Sequence, residues 1–281
     1  MRIKVTNEGT LIDLLMKEFV SSSRSNIKKL IANGTVTVNR KRITNPAFRV
    51  NINDDVEYRK FRQFEAIESP FPVLYEDEHL IVVVKPAGIL TYGERGTEGT
   101  SVYRELLNNL KEKTKGRGHV YVVHRLDREV SGILVFARTE KIQQLIKDHW
   151  KENNKRYYAL VEGRPPDEEG TVRSFLKENK ELKVYTTDET PDSKFAVTHY
   201  KVIRKLEGRS LLEISIETGR KHQIRVHLAD IGCPVVGDTK YGSGDKKMQR
   251  IQLHAYYFAM KHPVTGEMME FKTELPEGFV R

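Results

Sequence analysis

What most constrains the fold is a succession of short apolar runs: "LIVVV" (80–84), "VYVVH" (120–124), "ILVFA" (133–137) and "KRYYALVEG" (155–163). Each has the length of a β-strand and falls far short of the roughly 20 apolar residues that a membrane-spanning helix needs. Between them, "TSVYRELLNNLKEK" reads as a helix capped by Thr100 or Ser101, and "TEKIQQLIKDHWKEN" as one capped by Thr139. "FAVTHYKVIRKLEGRSLLEISIETG" reads as a long hairpin turning at "EGR", and "HQIRVHLADIG" as a helix after a strand end. The expected class is α+β, with a mixed, mostly antiparallel sheet flanked by helices and loops.

The first sixty residues follow another pattern. "TLIDLLMKEF" places Leu11, Leu14, Leu15 and Phe19 on one helical face, and "NIKKLIANG" gives Ile27, Leu30 and Ile31 a second stripe. The serine-rich "SSSRS" supplies an N-cap and Gly34 a stop. "TVTVN" then alternates as a strand, "RK" turns, and "RITNP" ends a second strand. The division is a small N-terminal domain over 1–60, the linker "FRQFEAIESPFP" over 61–72, and a large domain over 73–281.

Charge separates the same regions. The formal charge is +9, yet residues 1–18 sum to zero and residues from Asp54 onward carry only +2. The remaining +7 comes from Arg24, Lys28, Lys29, Arg40, Lys41, Arg42 and Arg49, in a stretch without one Asp or Glu. A single-sign cluster of this kind points to a polyanion, nucleic acid before an acidic membrane surface.

Several chemistries lack their residues. A lone cysteine, Cys233, makes neither an internal disulfide nor a zinc cluster and fits a reducing cytoplasm. His222 and His227 are five apart, the wrong spacing for a zinc-protease pair, so no metal is expected. There is no phosphate-binding glycine loop, no strained G-x-S-x-G turn and no apolar signal-peptide core. Asp127, in "HRLDREVSG", remains; alone, it would read as a turn residue.

Its company changes that reading. "VVHRLDREVSGILVFAR", "KRYYALVEG", "ETGRKHQIRVHLADIGCPVVGDTKYG" and "IQLHAYYF" resemble, in order, the pseudouridine synthase family typified by bacterial large-subunit ribosomal RNA enzymes. "VVVKPAGI" and "KHPVTGE" match as well, so the resemblance spans roughly residues 73–281. Similarly, "SRSNIKKLIANGTVTVNRKRI" resembles the RNA-binding module named after ribosomal small-subunit protein four.

The resemblance implies a catalytic Asp127, an active-site Tyr157 and an Arg225 paired with the aspartate. It also implies that Arg125 fills the gap left by a flipped base, and that Arg24, Lys28, Lys29, Arg40 and Lys41 contact RNA. Tyr158 and Arg220 are the rivals of Tyr157 and Arg225. Many members carry threonine where this chain has Val130, which leaves the aspartate and its flanks intact.

Isomerising uridine to pseudouridine breaks a nitrogen–carbon bond and makes a carbon–carbon bond, without redox change, phosphate energy or metal. The expected protein is a cofactor-free, cytoplasmic, monomeric isomerase acting on ribosomal RNA first and transfer RNA second. A non-catalytic RNA-binding or ribosome-assembly factor on the same scaffold is the alternative.

Overall fold

The apolar runs form strands because each is covered on both faces, which is why they show no polar alternation. In the computed structural model, residues 2–18, 24–32, 36–58, 69–93, 100–242 and 250–279 are described. The chain divides into two units, Met1–Phe64 and Glu65–Arg281.

The first unit orders β1 (Arg2–Lys4), β2 (Gly9–Thr10), α1 (Leu11–Glu18), α2 (Arg24–Ala32), β3 (Val36–Val38), β4 (Lys41–Ile43), β5 (Arg49–Val50) and β6 (Asp55–Tyr58). Four strands make an antiparallel sheet in the order β1-β6-β3-β4, and β2 pairs with β5. Leu11, Ile12 and Leu15 of α1 meet Ile27, Leu30 and Ile31 of α2 over Val36, Val38 and Val56. Ile12 is buried where Leu14 was expected, and Leu14 is only half-covered.

The hairpin turn is shifted by one residue from the "RK" reading. Asn39 and Arg40 take positive φ angles of 49° and 66°, as a two-residue hairpin loop requires, and Lys41 opens β4. The expected serine cap, Phe19, the Gly34 stop, the Lys29 side chain and the linker as far as residue 68 lie outside the described residues.

The second unit contains β7 (Val73–Glu76), β8 (Leu80–Lys85), α3 (Val102–Lys113), β9 (Tyr121–Val122), β10 (Ser131–Ala137), α4 (Glu140–Asp148) and β11 (Asn154–Glu162). It continues with β12 (Glu169–Glu178), β13 (Val184–Thr187), β14 (Lys194–Leu206), β15 (Arg209–Ile216), α5 (Gln223–Asp230), β16 (Leu253–Lys261) and β17 (Met268–Lys272). Eleven strands form one sheet in the order β13-β12-β14-β15-β11-β16-β10-β8-β7, with β17 on β16 and β9 on β10. Among the described residues β10–β16 is the only parallel strand pair of this sheet, so the sheet is mixed and mostly antiparallel.

Strand alternation sorts the core. Leu134 and Phe136 of β10, with Ile81 and Val83 of β8, pack on the face covered by Val102, Leu106 and Leu110 of α3. Ile133, Val135, Leu80 and Val82 pack on the opposite face, under Ile142 and Ile146 of α4. Ser101 and Thr139 cap these helices by accepting backbone N–H groups.

The sheet forks where β10 leaves β16 and β17 takes over. There Gly132 has φ +130°, and a Cβ on it would lie 2.3 Å from the Ala255 carbonyl oxygen, so glycine is required.

Candidate active site

Asp127 lies on the segment between β9 and β10, and both of its neighbours are tied down. The Leu126 N–H donates to Thr91 Oγ1 at 3.1 Å, and the Thr91 hydroxyl donates to the Leu126 carbonyl at 2.8 Å. On the other side, the Arg128 carbonyl accepts from Gly88 N–H at 2.8 Å and from Lys85 Nζ at 2.9 Å. Lys85 also donates to the carbonyls of Pro86 at 3.0 Å and Ile89 at 2.7 Å. Burial pulls the Lys85 ammonium down to about 8, against the opposing charges of Asp127 and Glu129. His124, which opens the motif, is structural: it stacks on Phe258 and accepts the Val135 N–H at 3.1 Å.

Arg225 approaches from α5. Its Nη1 donates to Asp127 Oδ2 at 3.3 Å, while Nε and Nη2 fork onto Asp238 at 2.7 and 2.9 Å. Burial alone would lower its pKa, but the hydrogen bonds and charge of Asp238, joined by Asp127 and Glu129, outweigh that and raise it. Asp238 is held low by the same pair despite its own burial. The guanidinium also lies 5.1 Å over the Tyr241 ring. Arg225 is therefore an interior residue, not a helix-surface one. Its rival Arg220 donates to the Phe195 carbonyl and makes no ion pair with Asp127.

Tyr157 is buried among the core residues beside Asp127, and burial, then the Asp127 charge, push its phenol up. Alternation along β11 decides between the two tyrosines. Tyr157 shares a face with Ala159 and Val161, whereas Tyr158 turns to the other face and stacks on Tyr256 at 3.8 Å. Asp127, Tyr157, Arg225, exposed Arg125 and buried Val130 line one cavity of about 90 Å³.

His222 is the neighbour that the sequence reading weighed only as a metal ligand. It precedes α5 with a left-handed φ of 54°, a backbone conformation that costs a non-glycine residue about 1 kcal/mol or more. Its Nε2 lies 3.9 Å from Asp127 Oδ2. The Tyr241 hydroxyl accepts the Val184 N–H at 2.9 Å and lies 2.7 Å from His222 Nδ1. The Asp127 carboxylate facing Nε2 favours the tautomer with the ring proton there, and the Tyr241 hydroxyl then donates to Nδ1. Burial lowers the His222 pKa, opposed by the Asp127 charge. The other polar residues of the motif are structural. Gln223 satisfies Thr218, Arg220, Val197 and Thr198, while His227 sits between Thr198 and Ser174.

Among the described residues no three His, Cys, Asp or Glu side chains group to hold a metal, and no helix is long and apolar enough to cross a membrane. The family model for RNA pseudouridylate synthase matches residues 79–230, which hold Asp127, Tyr157 and Arg225. The chain belongs to that family. An S4 domain model matches residues 11–56 of the first unit.

The synthase is 33% identical over 301 residues to the ribosomal large subunit pseudouridine synthase D of Zymomonas mobilis, covering 98% of this chain and 94% of that one. It is 32% identical to an uncharacterised RNA pseudouridine synthase of Bacillus subtilis, over 98% of this chain and 92% of the other. Human RNA pseudouridylate synthase domain containing 4 shares the fold, with a TM-score of 0.62 at 23% identity over 74% of this chain and 90% of that one.

Around Asp127, the sequence reading assigned no role to Lys85, Asp238 and Tyr241 and considered His222 only as a metal ligand. All sit inside motifs that carried the resemblance, so the signal was their place between known neighbours, not any spacing of their own.

In the S4 unit, Arg24 and Lys28 stand exposed on α2, and Arg40 and Lys41 at the β3–β4 hairpin. Arg24 is partly engaged, with an ion pair to Asp13 at 3.0 Å.

Proposed function

We propose that this synthase converts uridine to pseudouridine in large-subunit ribosomal RNA, working as a cytoplasmic monomer without metal or cofactor, with Asp127, Tyr157 and Arg225 as its catalytic groups. One observation carries the site assignment: Asp127 Oδ2 is occupied by Arg225, with His222 beyond it, while Oδ1 makes no hydrogen bond among the described residues. A carboxylate held by one oxygen offers the other to the reacting nucleoside, as a nucleophile or as a base toward a sugar proton. The names of relatives matched over nearly the whole chain favour the ribosomal target.

The target uridine must leave its stack, at a cost of a few kcal/mol, and Arg125, exposed and lining the cavity, fills the vacancy. Tyr157, whose phenol stays protonated, packs against the base and offers its hydroxyl near the ring carbon that gains the new bond and loses its hydrogen. The base is retained within the site while the glycosidic bond migrates, so reactants and products balance without a co-reactant. Arg24, Lys28, Lys29, Arg40 and Lys41 contact phosphates and the shape of the folded RNA.

Pseudouridine mapping of total RNA from cells with and without the gene tests the target. Loss of one or more large-subunit sites is expected, and loss confined to transfer RNA would overturn the ribosomal assignment. Asp127→Asn should bind RNA but form no product; product at the wild-type level would remove Asp127 from the mechanism.

A further inference from the structure

Beside the Asp127 cavity, and sharing His222 and Arg225 with it, lies an open groove of about 870 Å³. Its charged lining is Lys221, Arg225, Lys240 and Arg250 against one acid, Glu129. Most of these charges are already matched. Arg225 holds Asp238, Asp127 and Glu129, and Lys221 pairs with Glu178. Lys240 and Arg250 have no ion-pair partner among the described residues.

Arg250 is the more unusual of the two. Its guanidinium is half-buried, and burial lowers its pKa. Its positive charge in turn helps to lower Lys85 and His254. A partly desolvated cation without an anion is unfavourable until one arrives.

The side chain is also braced. Nη2 donates to Ser131 Oγ at 2.8 Å, and the plane lies 5.8 Å from the Phe279 ring. Ser131 continues to His254 Nδ1 at 2.7 Å, and His254 Nε2 to Thr273 Oγ1 at 2.8 Å. Gly88 and Gly237, both with positive φ, line the same groove without side chains and leave room for a strand to approach the backbone.

We infer that Arg250, with Lys240, binds one backbone phosphate of the substrate RNA within two nucleotides of the target uridine, so that this groove carries the strand into the Asp127 cavity. A braced guanidinium presents its remaining N–H donors as a fork that fits a phosphodiester. The inference rests on the proposed RNA-modifying function and adds to it a site for the flanking strand.

The test is a scan of a large-subunit ribosomal RNA fragment that the enzyme modifies, with each phosphate around the target replaced in turn by a neutral methylphosphonate. For the wild type, one linkage should raise KM about tenfold, the loss of one charge-assisted contact. Arg250→Gln should raise KM by a similar factor on the unmodified fragment, more than it lowers kcat. The same methylphosphonate should then add at most about twofold, with other linkages behaving as in the wild type. Arg250→Lys should recover part of the loss and serves if the glutamine variant does not fold.

A wild-type scan with no linkage above twofold overturns the inference, as do losses that multiply at the sensitive linkage. A wild type that modifies no ribosomal fragment overturns the functional reading together with this one. Normal modification without a sensitive phosphate overturns this one alone.

Discussion

Three carboxylates share the Arg225 guanidinium, Asp238, Asp127 and Glu129, and removing the charge of the first two should have distinct consequences. The Asp238 side chain is 1% exposed and that of Arg225 4%, with two hydrogen bonds of 2.7 and 2.9 Å between them. Asp238 Oδ1 also accepts the N–H groups of Lys240 at 3.0 Å and Tyr241 at 3.1 Å. Asp238→Asn removes the charge and turns one acceptor into a donor facing donors. Breaking a buried ion pair from one side costs about 3–5 kcal/mol. At about 2–4 °C per kcal/mol for a domain of 150–250 residues, the melting temperature should fall by roughly 10 °C.

Asp127 differs: its side chain is 27% exposed and makes one hydrogen bond, at 3.3 Å, with His222 farther off at 3.9 Å. After allowance for solvent screening, Asp127→Asn should cost about 1 kcal/mol or less. It should nevertheless abolish product. Calorimetry of both variants beside a pseudouridine assay separates the two roles. Asp238→Asn melting within about 2 °C of wild type, or both variants losing equal stability, would refute the reasoning.

Three further outcomes are expected. Tyr241→Phe removes the hydrogen bond that keeps His222 Nδ1 unprotonated, so the ring accepts a proton more readily beside Asp127, Arg225, Lys221 and Lys240. The acid limb of kcat/KM should move to higher pH, and an unmoved limb would rule out His222 as a positioning residue. Acid should destabilise the fold through His227 and His254, both held at about 4 by burial against 6.5 unfolded. Because each folded value is the lower one, this stability is complete above the unfolded value and lost as pH falls from there toward the folded value, by about 2 kcal/mol per histidine at pH 5. Urea midpoints that match at pH 7.5 and 5 would contradict it. Finally, neutralising Lys28, Arg40 and Lys41 together should flatten the slope of log affinity against log salt by about 2–3. A constant slope would remove the S4 unit's positive residues from RNA docking.

The sequence made the strand series, the two capped helices and the long β14–β15 hairpin legible because apolar length and turn chemistry are local signals. β12, with its sequence "EGTVRSFLKE", was missed because its alternation is weak and its pairing with β14 is set by distant register. β1 was missed because its three residues bond to a partner more than fifty residues away, and β17 because its five residues carry no apolar run of their own. In the site, the motif order brought out Asp127, Tyr157 and Arg225. What positions them was not legible, because Thr91 and Lys85 act on backbone carbonyls 35 and 43 residues away. No spacing rule connects a side chain to a carbonyl that only the fold brings near.

Three locally unfavourable features of the second unit meet around Asp127. Lys85 is a fully buried ammonium bonded only to carbonyls, His222 holds a left-handed backbone without glycine, and Arg250 is a half-buried guanidinium without an anion. Each disfavours the folded state by itself. Yet Lys85 fixes the peptide after Asp127, His222 lies 3.9 Å from its carboxylate, and Arg250 lines the adjoining groove. Stability optimisation alone would relax two of them, with glycine at 222 and an acid near 250, whereas removing Lys85 would strand the carbonyls it bonds. Their concentration around one carboxylate is what a preorganised site predicts, with its charges set before the substrate's charge arrives. The same logic ranks the replacements: glycine at 222 or an acid near 250 should raise stability or leave it unchanged while lowering turnover, and loss of Lys85 should lower both.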